Sequence, residues 1–98
     1  MSGYVITNFQ VTDLELYASY AARASATVAA YGGEYLARGG ATHTLEGDLP
    51  AGRVVIIRFP TLEAATAWYH SPEYVELRGI RQRAAQGSLF ITSGVDEA

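Results

Sequence analysis

The chain has 98 residues, 49% of them hydrophobic, with three prolines and no cysteine. Such a chain is one globular domain with its own core, which excludes a disordered segment, a disulfide framework, a thiolate nucleophile and a cysteine metal site. The formal net charge of -3 offers no electrostatic footprint for nucleic acid. Met1-Ser2-Gly3-Tyr4 opens on no basic segment followed by a long apolar run. No stretch approaches the ~20 apolar residues that span a bilayer. The expectations are therefore a cytoplasmic protein with neither nucleic acid nor membrane as partner. Every basic residue is arginine, which together with the alanine-rich segments suggests a GC-rich bacterial genome.

A first strand is predicted over residues 4–11. Val5, Phe9 and Val11 lie on one side, with Tyr4, Ile6 and Asn8 on the other, and Thr7 mildly interrupts the apolar side. Asp13 stands where an N-cap belongs, before a helix running to about residue 31 whose inward stripe reads Leu14, Tyr17, Ala18, Ala21, Ser25 and Val28. Gly32-Gly33 ends it. A second strand covers residues 34–38, with a possible continuation past Gly39-Gly40 to Leu45, the paired glycines suggesting a bulge or bend. Residues 46–52 read as a loop. The third strand, residues 53–59, is the clearest, and Pro60 closes it. Thr61 caps a helix over residues 62–69, and Ser71-Pro72 restarts a helix reaching about residue 85. Gly87 opens a fourth strand, residues 88–95, and the remaining residues are expected to fray.

One side of each clear strand is apolar (Val5/Phe9/Val11, Val55/Ile57/Phe59, Leu89/Ile91/Val95) and should face the helices. The opposite sides are mixed, yet Ile6, Val54, Ile56 and Phe90 would form an apolar patch there. The simplest cover is a second copy of the chain, making a homodimer about a two-fold axis; the other explanation is that single exposed apolar residues are ordinary. Asn8, Arg58 and Thr92 share that face, and once buried they would need one another, water or a ligand as partners.

Several residues have the chemistry of a site. Arg38, beside Gly39-Gly40, pairs a guanidinium with exposed backbone donors and suits a carboxylate or phosphate; a bulge and an arginine paired with an acid would look the same. His43 and Glu46 are candidates for acid–base catalysis, against a surface histidine and a glutamate paired with Arg53. His70 at a helix end is explained by the helix dipole alone. Tyr17, Tyr20 and Trp68 can pack the core or wall a pocket for a flat organic molecule. Arg78 and Arg81 share a helix face, with a solvated or interface role as the default. No metal-ligand spacing occurs. The candidate ligand-binding set is Arg38, Arg58, Asn8, Tyr17, Tyr20 and Trp68, with no cofactor.

Taken in order, Tyr17-x-x-Tyr20, Gly32-Gly33-x-Tyr35, Arg38-Gly39-Gly40, Leu45-Glu46-Gly47, Arg53-Val54-Val55, Phe59-Pro60, Ala64-Ala65, Trp68-Tyr69 and Ser71-Pro72-Glu73-Tyr74 resemble the bacterial family of domains of unknown function numbered thirteen-thirty. The resemblance runs from about residue 4 to residue 94. It implies an α+β, ferredoxin-like βαββαβ sandwich whose four-stranded antiparallel sheet carries helices on one face and pairs as a dimeric α/β barrel. It supplies no activity. The wider superfamily includes cofactor-free monooxygenases, isomerases and haem-degrading oxygenases, with ligands between sheet and helices or inside the barrel. The haem-degrading branch uses a strand-1 asparagine, a tryptophan and a later helical histidine. Asn8 and Trp68 are similar to the first two, but the histidine is missing from its expected place near Arg78. The functional expectation is a small-molecule binder or cofactor-free isomerase-like or monooxygenase-like enzyme for an acidic or phenolic ligand. The alternative is a non-catalytic interaction or sensing module with a filled barrel.

Overall fold

The structure, a computed structural model, describes residues 1–48 and 52–95. Residues 49–51, within the expected loop, and 96–98, where fraying was expected, lie outside the described residues. The elements are β1 (Gly3–Val11), α1 (Leu14–Ala30), β2 (Glu34–Arg38), β3 (Arg53–Phe59), α2 (Leu62–His70), α3 (Pro72–Ala84) and β4 (Ala85–Ser93). The strands form one antiparallel sheet in the order β2-β3-β1-β4. This is the ferredoxin-like sandwich, with its second helical segment broken in two.

The caps account for where the helices begin. The Asp13 carboxylate accepts from the Leu16 amide at 3.0 Å, and the Thr61 hydroxyl accepts from Ala64 at 3.0 Å. Ser71 works on both sides of the break. Its hydroxyl donates to the Trp68 carbonyl at 2.7 Å, closing α2, and accepts from the Tyr74 amide at 3.2 Å, opening α3. Pro72 follows at the first helical position, where no amide donor is needed.

Strand alternation sends Val5, Thr7, Phe9, Val55, Ile57 and Phe59 under the helices, where all are buried. Against them pack Val28, Trp68, Tyr74 and Leu77, each nearly inaccessible. Trp68 is the hub, with ring centroids 4.1 Å from Tyr74 and 5.4 Å from Phe59, and its indole N–H donates to the Thr27 hydroxyl at 3.0 Å.

The structure departs from the sequence expectations in four places. The buried stripe of α1 is Tyr17, Tyr20, Ala24 and Val28, while Leu14 is 79% exposed and Ala18 is exposed. Interchangeable alanines hid the helix phase, which Tyr20 sets through its contact with Tyr74. β2 stops at Arg38, because Gly39 turns the chain at φ +74. The β-bulge falls between Tyr35 and Ala37 rather than at the glycine pair. β4 begins at Ala85 and ends at Ser93, since its ladder on β1 runs from Val11–Ala85 to Gly3–Ser93; Val95, expected to face inward, lies beyond it and is 83% exposed.

Candidate functional site

Between α1 and the β2–β3–β1 part of the sheet lies a cleft open to solvent. Its walls are aromatic: Phe9, Tyr17, Tyr20, Tyr35 and Trp68. Two cations enter it, Arg38 from the end of β2 and Arg53 from the start of β3, and among the described residues no carboxylate lines it. The free volume is about 40 Å³. At ~10–15 Å³ per water-sized occupant, that holds roughly three waters or the head of a small ligand.

Each cation is oriented by its neighbours. Arg38 stacks over the Tyr35 ring, 4.2 Å from its centroid, and donates to the Ser25 hydroxyl at 2.8 Å. Arg53 lies over the Tyr17 ring at 5.8 Å. Gly39 turns the chain at φ +74, a conformation that favours glycine, and a Cβ there would stand 2.7 Å from the Arg53 guanidinium carbon, which would have to shift. A third arginine, Arg81 of α3, is 5% exposed; it lies 4.6 Å over the Phe9 ring and donates to the Tyr74 hydroxyl at 3.2 Å. Among the described residues no carboxylate pairs with Arg38, Arg53 or Arg81. The surroundings of the cleft are therefore positive inside a chain that is acidic overall.

Burial holds the Tyr17 phenol above its ordinary pKa, opposed by Arg53, Arg81 and Arg38. Burial, followed by the neighbouring Tyr74, pushes Tyr20 far up, and burial raises Tyr74. These phenols are neutral hydrogen-bonding groups at physiological pH and supply no base. Two buried polar atoms have no partner among the described residues, the Thr7 hydroxyl and the Arg53 Nε–H, and both residues line this cleft.

The candidate residues divide among three places. Arg38, Tyr17, Tyr20 and Trp68 meet in the cleft, where Tyr20 and Trp68 also belong to the core. Asn8 and Arg58 do not join them, because strand alternation turns both to the opposite face. Asn8 Oδ1 accepts from the Gly52 amide at 2.9 Å, and Arg58 pairs with Glu34. Asn8 and Trp68 thus lie on opposite sides of the sheet. His43 and Glu46 are exposed on the loop after Gly39 and line a separate shallow depression with Thr42, Thr44, Leu45 and Asp48. The expected Glu46–Arg53 pair does not occur among the described residues. Sequence reasoning passed over Thr7 and Arg53 as site residues. Thr7 had left a signal as the one polar residue on the helix-facing side of β1. Among the described residues, no three of His, Asp and Glu are placed to hold a metal ion.

On the helix-free face, Ile6, Val54 and Ile56 are half-buried and Phe90 is 52% exposed. Ile6 pairs with Ile56 on one side and with Phe90 on the other, so the apolar side chains are contiguous. No helix among the described residues is long and apolar enough to cross a membrane.

The sequence matches the family model "Domain of unknown function (DUF1330)" over residues 2–95. The chain belongs to this family. Among solved structures it is similar to RPA0582, a protein of unknown function from Rhodopseudomonas palustris, with TM-score 0.76 and 19% identity over 97% of this chain and 83% of that one. It is also similar to SnoaB, a cofactor-independent oxygenase from Streptomyces nogalater, with TM-score 0.61 and 13% identity over 97% of this chain and 94% of that one. Rv0793 from Mycobacterium tuberculosis gives TM-score 0.57 and 17% identity over the whole of this chain and 99% of that one. At these identities the likeness is one of fold. No curated protein matches the sequence.

Proposed function

We propose that this DUF1330 domain binds a small acidic or phenolic organic molecule in the cleft between α1 and the sheet, and that it works as a homodimer joined through the helix-free sheet face. The observation that carries the reading is the lining of the cleft: aromatic walls and two arginines, with no carboxylate among the described residues. Aromatic walls take a flat ring, and unneutralised guanidinium groups favour an anion. The ligand contacts in this reading are Arg38, Tyr17, Tyr20 and Trp68, joined by Arg53. Asn8 and Arg58 are assigned to the open face, and His43 and Glu46 to the loop depression.

An ionisable ligand also gives the cleft something to catalyse. Loss of one proton to water, which the open cleft admits, leaves an electron pair on the ligand. Taking a proton back from water at another position completes an isomerisation; attack of the pair on dioxygen, the oxidant, forms a carbon–oxygen bond and begins an oxygenation. The arginines stabilise the anion in either case, and the cofactor-independent oxygenase among the structural relatives supports this direction.

A titration followed by amide and side-chain NMR, with 4-hydroxybenzoate as probe, tests the reading. Saturable shifts should cluster on α1 and at the Arg38 end of β2. Arg38→Met should weaken binding about tenfold, the loss of roughly 1.4 kcal/mol, whereas Arg58→Met should leave it unchanged. Absence of saturable shifts, or shifts confined to the open face, would defeat it.

One observation favours a second reading, a non-catalytic interaction module. Asn8 and Arg58 already have partners within the chain, so the open face can pack dry against another surface without a ligand.

A further inference from the structure

Two buried polar atoms without a partner among the described residues, the Thr7 hydroxyl and the Arg53 Nε–H, belong to residues lining the same cleft. We infer that Thr7 and Arg53 form the anchor for a carboxylate, and that the cleft selects planar carboxylic acids over neutral phenols and amides. The inference rests on the reading of the cleft as a ligand site and names what that site recognises.

The sheet register puts the pair together. Thr7 lies opposite Val55, and Arg53 is two residues along β3 on the same face, so the two are diagonal neighbours across the β1–β3 ladder. Thr7 is 5% exposed and stands among Phe9, Val55 and Leu89, apolar side chains that offer its hydroxyl nothing. A buried hydroxyl without a partner is costly, and native cores rarely leave one. Arg53, its diagonal neighbour across the ladder, lines the same cleft with an Nε–H that also has no partner among the described residues. Each group can donate, the hydroxyl being an acceptor as well, and a carboxylate offers two acceptor oxygens in one plane. The guanidinium edge matches that plane, and the Thr7 hydroxyl supplies a second bond to the same head group.

Size and charge agree. A carboxylate head is three heavy atoms, which suits a free volume of about 40 Å³. The rest of the ligand would lie outward between Tyr17, Tyr35 and Arg38. Arg81, behind the tyrosines and without a carboxylate partner among the described residues, adds positive potential from the core side. A phosphate would bring more charge and bulk than one guanidinium edge and one hydroxyl can satisfy.

The test uses benzoate, with benzamide as its neutral isostere, on the full chain. Binding is read by calorimetry and by the side-chain resonance of Arg53 Nε–H. Benzoate should bind at least ~10-fold more tightly than benzamide and move that resonance. Thr7→Val should act in opposite directions on two readouts. It should raise the Tm of the free protein by ~4 °C or more, since it removes an unsatisfied buried hydroxyl, and weaken benzoate ~10-fold. Arg53→Lys, which keeps the charge but has no Nε–H, should weaken benzoate by a similar factor while the protein stays folded. Benzoate bound with equal affinity by the wild type, Thr7→Val and Arg53→Lys would overturn the anchor and leave the cleft as a ligand site. Equal affinity for benzamide and benzoate would overturn carboxylate selection. Failure of benzoate, benzamide and 4-hydroxybenzoate alike would remove the cleft reading, and the anchor with it.

Discussion

The hydroxyls of Tyr20 and Tyr74 lie 2.8 Å apart, a hydrogen bond that joins α1 to α3 inside the core. Arg81 donates to the same Tyr74 oxygen at 3.2 Å, so Tyr74 is the middle of a three-residue chain and Tyr20 its end. Removing the middle should cost more than removing the end. Tyr74→Phe strips the buried Arg81 guanidinium of its hydroxyl partner and should destabilise by about 2–3 kcal/mol, whereas Tyr20→Phe leaves that contact intact and should cost about 1 kcal/mol. Urea denaturation of the two variants checks the order, and an equal cost for both would show that Arg81 does not depend on Tyr74.

The same phenols set an alkaline limit. Burial holds Tyr17, Tyr20 and Tyr74 above the ordinary tyrosine value of 10.0. Below pH 10.0 both folded and unfolded chains keep these protons, and stability does not change on their account. Above it the unfolded chain releases them while the folded chain retains them, so the folded state binds more protons and stability falls as pH rises. Tyrosinate absorbance followed together with circular dichroism should show Tyr17, Tyr20 and Tyr74 ionising only as the chain unfolds. Ionisation of these three while the fold remains intact would contradict the burial argument.

Gly39 holds the mouth of the cleft. Alanine there meets both a positive φ and the Arg53 guanidinium. Gly39→Ala should cost about 1–2 kcal/mol and displace Arg53, weakening benzoate as well. Thermal melts and the benzoate titration check both effects. An unchanged Tm would mean that the turn relaxes at no cost.

The helix-free face tests association. Phe90→Glu places a charge among Ile6, Ile56 and Val54, and a dimer joined there should fall to the 10.5 kDa monomer. Sedimentation equilibrium compares wild type and variant. A wild type that is monomeric at high micromolar concentration would remove the dimer.

His43→Ala and Glu46→Ala, separately and together, should leave benzoate affinity within about twofold, a change below ~0.5 kcal/mol, because both side chains line the loop depression and not the cleft. A tenfold loss would place the loop over the bound ligand.

Much of the architecture was legible in the sequence because it depends on local signals. Alternation in residues 53–59 and 4–11, Asp13, Thr61 and Ser71-Pro72 as caps, and Gly32-Gly33 as a stop each act within a few residues, and each appears in the structure where it was read. Strand parity also assigned Asn8 and Arg58 to the face opposite the helices. Parity alone could not show that this separates them from Trp68, because the position of Trp68 depends on how α2 lies on the sheet. The phase of α1 was equally hidden. A run of alanines carries little periodicity, and the choice of Tyr20 over Ala18 is made by Tyr74, fifty-four residues away.

The sequence by itself therefore determined the kind of domain, its elements and the two faces of its sheet, since propensity, capping and period-two alternation are properties of neighbouring residues. The tertiary structure alone assembled the cleft. Arg38, Arg53, Thr7 and Tyr17 come from four different elements, and only the antiparallel register of β1, β2 and β3 beneath α1 brings them to one cleft. That two polar atoms there lack partners among the described residues is a matter of packing, which exists only once the helices have closed over the sheet.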